Sequence, residues 1–390
     1  MGLEPVEQSS WQSAWRCHWS RCRPLLLLAA TATAELAGIS AAGATAVSRR
    51  LTAAADTELL LLGPGAQRPH ALPPLPAGVS PALIGHGVLR QLGLLPRTLV
   101  VDLGCAVAPA TAHLRLPPPE AAGPAACLSS GAAMDRQRVL ALLERGRSWG
   151  RRWPQNEPLL LAECVPGGTS TALAVLLGLG LAAEGLVSGS LLQPAHGLKS
   201  RLARQGLAAA CLEIAARAAV ASANSASGVD PLAVLAAVGD PMQALAAGLT
   251  WEASARGVPI LLAGGSQMAA VLALALALAP AEQRQQLASQ AVVATTAWLA
   301  EEPHSDLAEL LALISGRWRV RAQLAVASLR FDHCRSQALR DYERGYVKEG
   351  VGAGGFALLW ELSGRPAAEL AALCDGDCEL LLDSPGLGGA

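Results

Sequence analysis

LLLAECVPGGTSTALAVLL, running from Leu159 to Leu177, sets the reading of the whole chain. Its opening run, Leu159, Leu160 and Leu161, lies between Pro158 and Pro166 and is too short for a helix, so it predicts a buried strand. Glu163 stands at the end of that strand. Gly167 and Gly168 follow, then Thr169, Ser170 and Thr171, then an apolar helix-forming run from Ala172. A strand, a glycine turn and a helix in this order leave N–H groups unpaired at the helix start, aimed above the sheet. Glycine lets the backbone come close to a ligand, and the hydroxyls cap the helix or bond phosphate oxygens. Two readings stand side by side: an anion cradle with an acid beside it, or an ordinary strand-to-helix turn capped by Thr169.

The pattern recurs along the chain. Val258–Leu262 predicts a strand, Gly264-Gly265-Ser266 a small-residue turn, and Met268–Ala279 an apolar helix. Leu25–Ala30, Leu59–Leu62, Thr98–Leu103, Ala291–Ala297 and Arg319–Ala327 read as further strands. Helices are expected after Ser80-Pro81, from Met134 to about Arg147, from His196 to Val220, after Asp230-Pro231, after Asp240-Pro241, and over His304–Ile314. This alternation predicts an α/β fold: a parallel sheet flanked by helices in a Rossmann-like three-layer arrangement, with a small helical part. Ligands on such sheets sit at the carboxyl ends of the strands. Residues 1–24, rich in Trp and Arg, are expected to form a loosely ordered extension, 25–365 a single domain, and 366–390 a tail.

Composition narrows the function classes. The chain has 390 residues, 52% hydrophobic and 16% charged, which requires a large, mostly aliphatic core. Thirty basic against 31 acidic residues give no electrostatic case for nucleic acid as partner. Met268–Ala279 is too short to cross a bilayer and reads as a buried helix. The arginines before Leu25–Ala30 imitate a signal peptide, but Glu4, Glu7 and Glu35 speak against one. Nine scattered cysteines suggest a reducing, cytoplasmic location. Cys17, His18 and Cys22, or Cys374 and Cys378, resemble half a zinc motif, yet no second ligand pair follows, so no metal site is expected.

A second chemical stretch runs from Arg340 to Gly355 and carries both signs of charge before collapsing into glycine. Gly350-x-Gly352-x-x-Gly355 formally matches a dinucleotide fingerprint, and Asp375 lies roughly twenty residues on. The context fails, because charged Tyr346-Val347-Lys348-Glu349 occupies the place of the required strand. Glu349, directly before the glycines, is better placed as a general base or charge stabiliser on a backbone that a flat substrate can approach. The alternative is a surface cap or ion pair.

Taken in order, Glu163-Cys164-Val165-Pro166-Gly167-Gly168-Thr169-Ser170, Asp230-Pro231-Leu232-Ala233-Val234-Leu235 and Lys348-Glu349-Gly350-Val351-Gly352-Ala353 resemble one family, the nicotinate-nucleotide–dimethylbenzimidazole phosphoribosyltransferases, in a divergent prokaryotic branch. Gly38-Ile39-Ser40-Ala41-Ala42-Gly43 and LPAGVSPAL (Leu75–Leu83) fit the same branch, and the resemblance spans about Leu25 to Leu362. It implies transfer of phosphoribose from nicotinate mononucleotide to an aromatic base, without a metal or cofactor, by a homodimer. It further implies Glu349 as the catalytic acid–base residue, Glu163 as the acid of the central turn, and Lys199 as the lysine opening the next long helix. Gly167 to Thr171, Gly264, Gly265, Ser266, Lys199, Gly350 and Gly352 would then hold the ribose phosphate. Glu163 would hold a ribose hydroxyl or stabilise positive charge. The chain departs from the better-studied branch where Val165 and Gly168 replace a glycine and an asparagine, and where Tyr346 replaces an arginine. These departures leave the accepting base open. The rival expectation is a non-catalytic nucleotide- or corrinoid-precursor-binding protein on the same scaffold, and a third is an unrelated phosphosugar enzyme.

Overall fold

The computed structural model describes residues 10–221 and 229–383. Seven strands form one sheet: β1 Arg23–Leu28, β2 Leu99–Asp102, β3 Leu114–Arg115, β4 Leu159–Cys164, β5 Ile260–Ala263, β6 Ala291–Thr296 and β7 Gln323–Ala327. Their spatial order is β3-β2-β1-β4-β5-β6-β7, and every pairing is parallel. β1 lies between β2 and β4, with Leu25 opposite Leu99 on one side and Leu161 on the other. The order therefore reverses direction at β1, and connections leave on opposite faces from there.

Alternation along each strand feeds two cores. Leu159, Leu161, Ile260 and Leu262 pack on one face with the helices Arg136–Arg152, Gly168–Gly178, Pro241–Ala255 and Ser266–Leu278. Leu160, Ala162, Leu261 and Ala263 pack on the other with Ala46–Leu62, Ala82–Gln91 and Ala353–Leu362. Burial on both faces is why these strands read as unbroken apolar runs. Asp230 and Asp240 cap their helices as expected, accepting from Leu232 N and Gln243 N.

Four expectations are corrected. Leu59–Leu62 is the last turn of the helix Ala46–Leu62, not a strand, and the buried Thr52, Asp56, Thr57 and Glu58 disguise that helix as polar sequence. Ser10–His18, expected to be loose, is a helix whose Trp15 is fully buried against the second core. The long helix expected from His196 splits into His196–Ala209 and Glu213–Ala221, because Cys211 takes a left-handed φ of 58°. The stretch expected as a tail over 366–390 is a helix at Ala367–Asp383, with Cys374, Cys378 and Leu381 buried; residues 384–390, like 1–9, lie outside the described residues. Among the described residues no helix is long and apolar enough to cross a membrane.

Candidate active site

A cavity of about 1080 Å³ opens at the carboxyl ends of β4, β5 and β6. Each of those strands delivers a turn to it. β4 carries Glu163 next to its last residue and passes through Val165 and Pro166 to Gly167, whose φ of 80° suits glycine and whose Cβ position would lie 3.0 Å from the Ala34 backbone. β5 passes through Gly264 into Gly265, Ser266 and Gln267, and β6 ends in Thr295 and Thr296 beside Glu349. Glu163, Gly167, Gly168, Thr169, Gly265, Ser266, Glu349 and Gly350 all line this space.

Glu349 is the most heavily supported carboxylate. Its Oε2 accepts from Thr295 Oγ1 at 2.9 Å and Thr296 N at 3.0 Å, while its Oε1 accepts from Gly350 N and Gly354 N, both at 3.1 Å. Burial raises its pKa, and the four donors oppose that rise. The Gly354 contact exists because the helix Ala353–Leu362 lies directly on the sheet: a Cβ at Gly354 would sit 2.1 Å from the Thr295 carbonyl carbon. Gly352 and Gly355 press likewise on Ala162 and Ala263. Of the glycines that imitate a dinucleotide fingerprint, Gly352 and Gly355 are thus a packing surface, while Gly350 lines the cavity.

The backbone around Glu349 is strained. Val347, Lys348 and Val351 have φ of 64°, 62° and 51°, in the left-handed region where a residue with a side chain is rare. Each such residue costs on the order of 1–3 kcal/mol, and strain of this kind gathers at functional sites.

Glu163 is buried, with Oε2 accepting from Val165 N at 2.9 Å and Oε1 from Gln267 Nε2 at 2.8 Å. Burial, then the nearby carboxylates of Asp240 and Glu349, push its pKa up to about 8 against the Val165 and Gln267 donors. At neutral pH it is largely protonated and able to donate.

Lys199 stands just behind the cavity wall and is only 1% exposed. Its Nζ donates to Ser188 O at 2.6 Å and Thr169 Oγ1 at 3.0 Å, and a Cβ on Gly189 would meet it at 2.7 Å. Burial lowers its pKa to about 7, partly offset by Glu302 and deepened by Lys348.

Other expected contacts are not brought to the cavity. Ser170 and Thr171 are fully buried inside the helix packing, and the Thr171 hydroxyl is shared between Gly168 O and Asp240. They turn inward because, one turn into the helix, their side chains fall on its core side. Gly168 N and Ser170 N are spent on Val165 O and Gly167 O, so the cradle is narrower than the sequence suggested. Gly264 is a turn position whose N–H joins Ala294 O, and Gly352 packs on Ala162.

Sequence reasoning missed Asp56, a buried carboxylate in the cavity wall that accepts from Ser80 Oγ at 2.6 Å. Burial pushes it up to about 6. It was hidden by the misread Leu59–Leu62. Also missed was Glu302, which pairs with Lys348 Nζ at 2.5 Å. Leu72, Pro73, Leu75 and Pro76 roof the apolar side of the cavity, with Leu381 from the last helix. Among the described residues no group of three or more His, Cys, Asp or Glu side chains is placed to hold a metal ion.

A family model described as phosphoribosyltransferase matches residues 94–302. A UPF0284 protein of Parasynechococcus marenigrum strain WH8102 is 50% identical over 365 residues, covering 92% of this chain and 87% of the relative. Another, from Prochlorococcus marinus strain MIT 9313, is 46% identical over 387 residues, covering 98% and 92%. Among solved structures, CobT from Thermus thermophilus superposes with a TM-score of 0.55 at 19% identity, covering 95% of this chain and 92% of that one. The nicotinate-nucleotide–dimethylbenzimidazole phosphoribosyltransferase of the same organism gives 0.51 at 19%, covering 93% and 83%. At that identity the likeness is one of fold.

Proposed function

This chain belongs to the phosphoribosyltransferase family and to the UPF0284 proteins, and we propose that it moves phosphoribose from nicotinate mononucleotide to an aromatic base, releasing nicotinate. The donor and the class of acceptor are carried over from the activity for which the structural neighbour is named. One observation carries the proposal: Glu349 and the Gly167–Thr169 turn, distant in sequence, face the same cavity at the strand ends.

The chemistry suits the parts. The bond from ribose C1′ to the pyridinium nitrogen of nicotinate breaks, and its electron pair leaves with nicotinate. A ring nitrogen of the base forms the new bond to C1′ and loses its proton to Glu349. A carboxylate whose pKa burial has raised is better matched to that transfer than an exposed one. Thr169, Gly265 and Ser266, backed by Lys199, hold the phosphate, converting a collision into a positioned transfer. Protonated Glu163 donates to a ribose hydroxyl. The lower ligand of a cobalamin-type cofactor is the proposed destination of the product, and a homodimer in the cytoplasm the proposed form.

Incubation with nicotinate mononucleotide and a panel of bases, followed by mass spectrometry, tests this directly. New ribotides together with free nicotinate are expected. Calorimetric binding of nicotinate mononucleotide with no turnover on any base would instead leave a non-catalytic nucleotide-binding protein.

A further inference from the structure

We propose that Lys348, through its buried pairing with Glu302, is a positioning residue that holds the Glu349 carboxylate at the reacting end of the cavity. The inference rests on the transfer reaction proposed above.

The argument starts from the turn. Lys348 N donates to Tyr346 O at 2.7 Å and Glu349 N donates to Val347 O at 2.8 Å. With Val347 and Lys348 both at φ above 60°, these are two consecutive γ-turns of the rare, strained hand. Nothing local favours them: Val347 is β-branched, and neither residue is glycine. The turn persists only where its surroundings over-determine it.

Two anchors do so. From the backbone side, Thr296 Oγ1 donates to Lys348 O at 2.6 Å, and the next atoms along β6, Thr296 N and Thr295 Oγ1, donate to Glu349 itself. From the side-chain side, Lys348 Nζ donates to Glu302 Oε1 at 2.5 Å and Leu191 O at 2.8 Å, with the lysine and glutamate side chains 1% and 2% exposed. Glu302 is itself fixed, its Oε2 accepting from Ser188 Oγ and Ser305 Oγ. Ser188 O in turn receives Lys199 Nζ, which also reaches Thr169 Oγ1. An unbroken run of bonds therefore joins the turn that holds Glu349 to the turn expected to hold phosphate. Although Lys348 lines the cavity, its ammonium is spent on Glu302 and Leu191 O with the side chain 1% exposed, which leaves placement of its neighbour as its part in the chemistry.

Replacing Lys348 alone strands the Glu302 charge, so the test uses the neutral pair Lys348→Met with Glu302→Gln, which keeps an acceptor for Ser188 and Ser305. Calorimetry with nicotinate mononucleotide, and kcat against KM for the base, are compared with the wild type. Nicotinate mononucleotide affinity should stay within about threefold, while kcat falls by on the order of tenfold to a hundredfold, the scale of an ångström misplacement. Lys348→Gly with Glu302→Gln should lose as much, although glycine suits the left-handed backbone; recovery there would show that the backbone alone sufficed and overturn the proposal. Wild-type kcat in the folded Met/Gln pair would overturn it too. Thr296→Val loosens the same turn from its backbone anchor and decides the matter should the pair fail to fold: kcat should drop with nicotinate mononucleotide affinity kept, and an unchanged kcat would sink the idea. A wild-type chain that makes no ribotide from any base removes the reaction, and this role with it.

Discussion

Glu349→Gln is the sharpest perturbation of the site, because amide and carboxylate share a shape but not a proton affinity. The four donors around Glu349 dictate how the amide must sit. Its oxygen has to face Gly350 N and Gly354 N, which cannot turn away. Its NH2 then faces Thr295 Oγ1, which can rotate to accept, and Thr296 N, which cannot. The Thr296 N–H and the second amide N–H then face each other without an acceptor, at about 1–3 kcal/mol for each that stays dry. Removal of a charge that burial disfavours offsets part of this, so the variant should fold with a melting point only a few degrees lower. Loss of a general base, by contrast, costs roughly 10²–10⁴ in rate. At 1.36 kcal/mol per tenfold, that is about 3–5 kcal/mol of barrier, well beyond the stability effect. Nicotinate release and ribotide formation, followed at saturating substrates, read the rate, and calorimetry with nicotinate mononucleotide checks that the donor still binds. A folded variant turning over within about threefold of the wild type would remove Glu349 from proton transfer.

Three further outcomes follow from the same geometry. Lys199→Met should weaken nicotinate mononucleotide binding by about tenfold or more, as expected for a lost charged hydrogen bond; with its pKa lowered to about 7, wild-type affinity should also fall between pH 6 and 8.5, and a flat calorimetric profile would contradict that. Glu163 has its pKa raised from the usual carboxylate range to about 8, so the folded chain holds a proton that the unfolded chain has lost in that window. Its contribution to stability therefore declines as pH rises from about 4.5 to 8, and thermal melts of Glu163→Gln should show a weaker decline than the wild type. Gly354→Ala forces a Cβ into the Thr295 backbone, so it should lower the melting point and cut turnover together; a variant with both unchanged would show that this helix can slide.

Much of the fold was legible because strands buried on both faces carry continuous aliphatic runs, as at Leu159–Leu161 and Ala291–Ala294. Leu59–Leu62 misled for the same reason: four leucines read alike as strand or as the last turn of a helix, and the buried polar residues before them masked the helical period. Of the site, the acids before glycine turns could be read, since Glu163 and Glu349 sit where strand or strained turn meets the cavity. Asp56, Glu302 and the Ser188–Leu192 wall could not, because each is brought in by tertiary packing from a segment with no local signature. Ser170 and Thr171 show the converse: a hydroxyl-rich turn looks uniformly ligand-facing in sequence, while helical geometry sends part of it inward.

The position of β1 bears on how the chain is made. Its leucines are made before either neighbour: Leu25 must wait for Leu99 on one flank and for Leu161, far later in the chain, on the other. Until then a bare apolar strand with two open edges is carried by the nascent polypeptide, the kind of exposure that invites aggregation and chaperone capture.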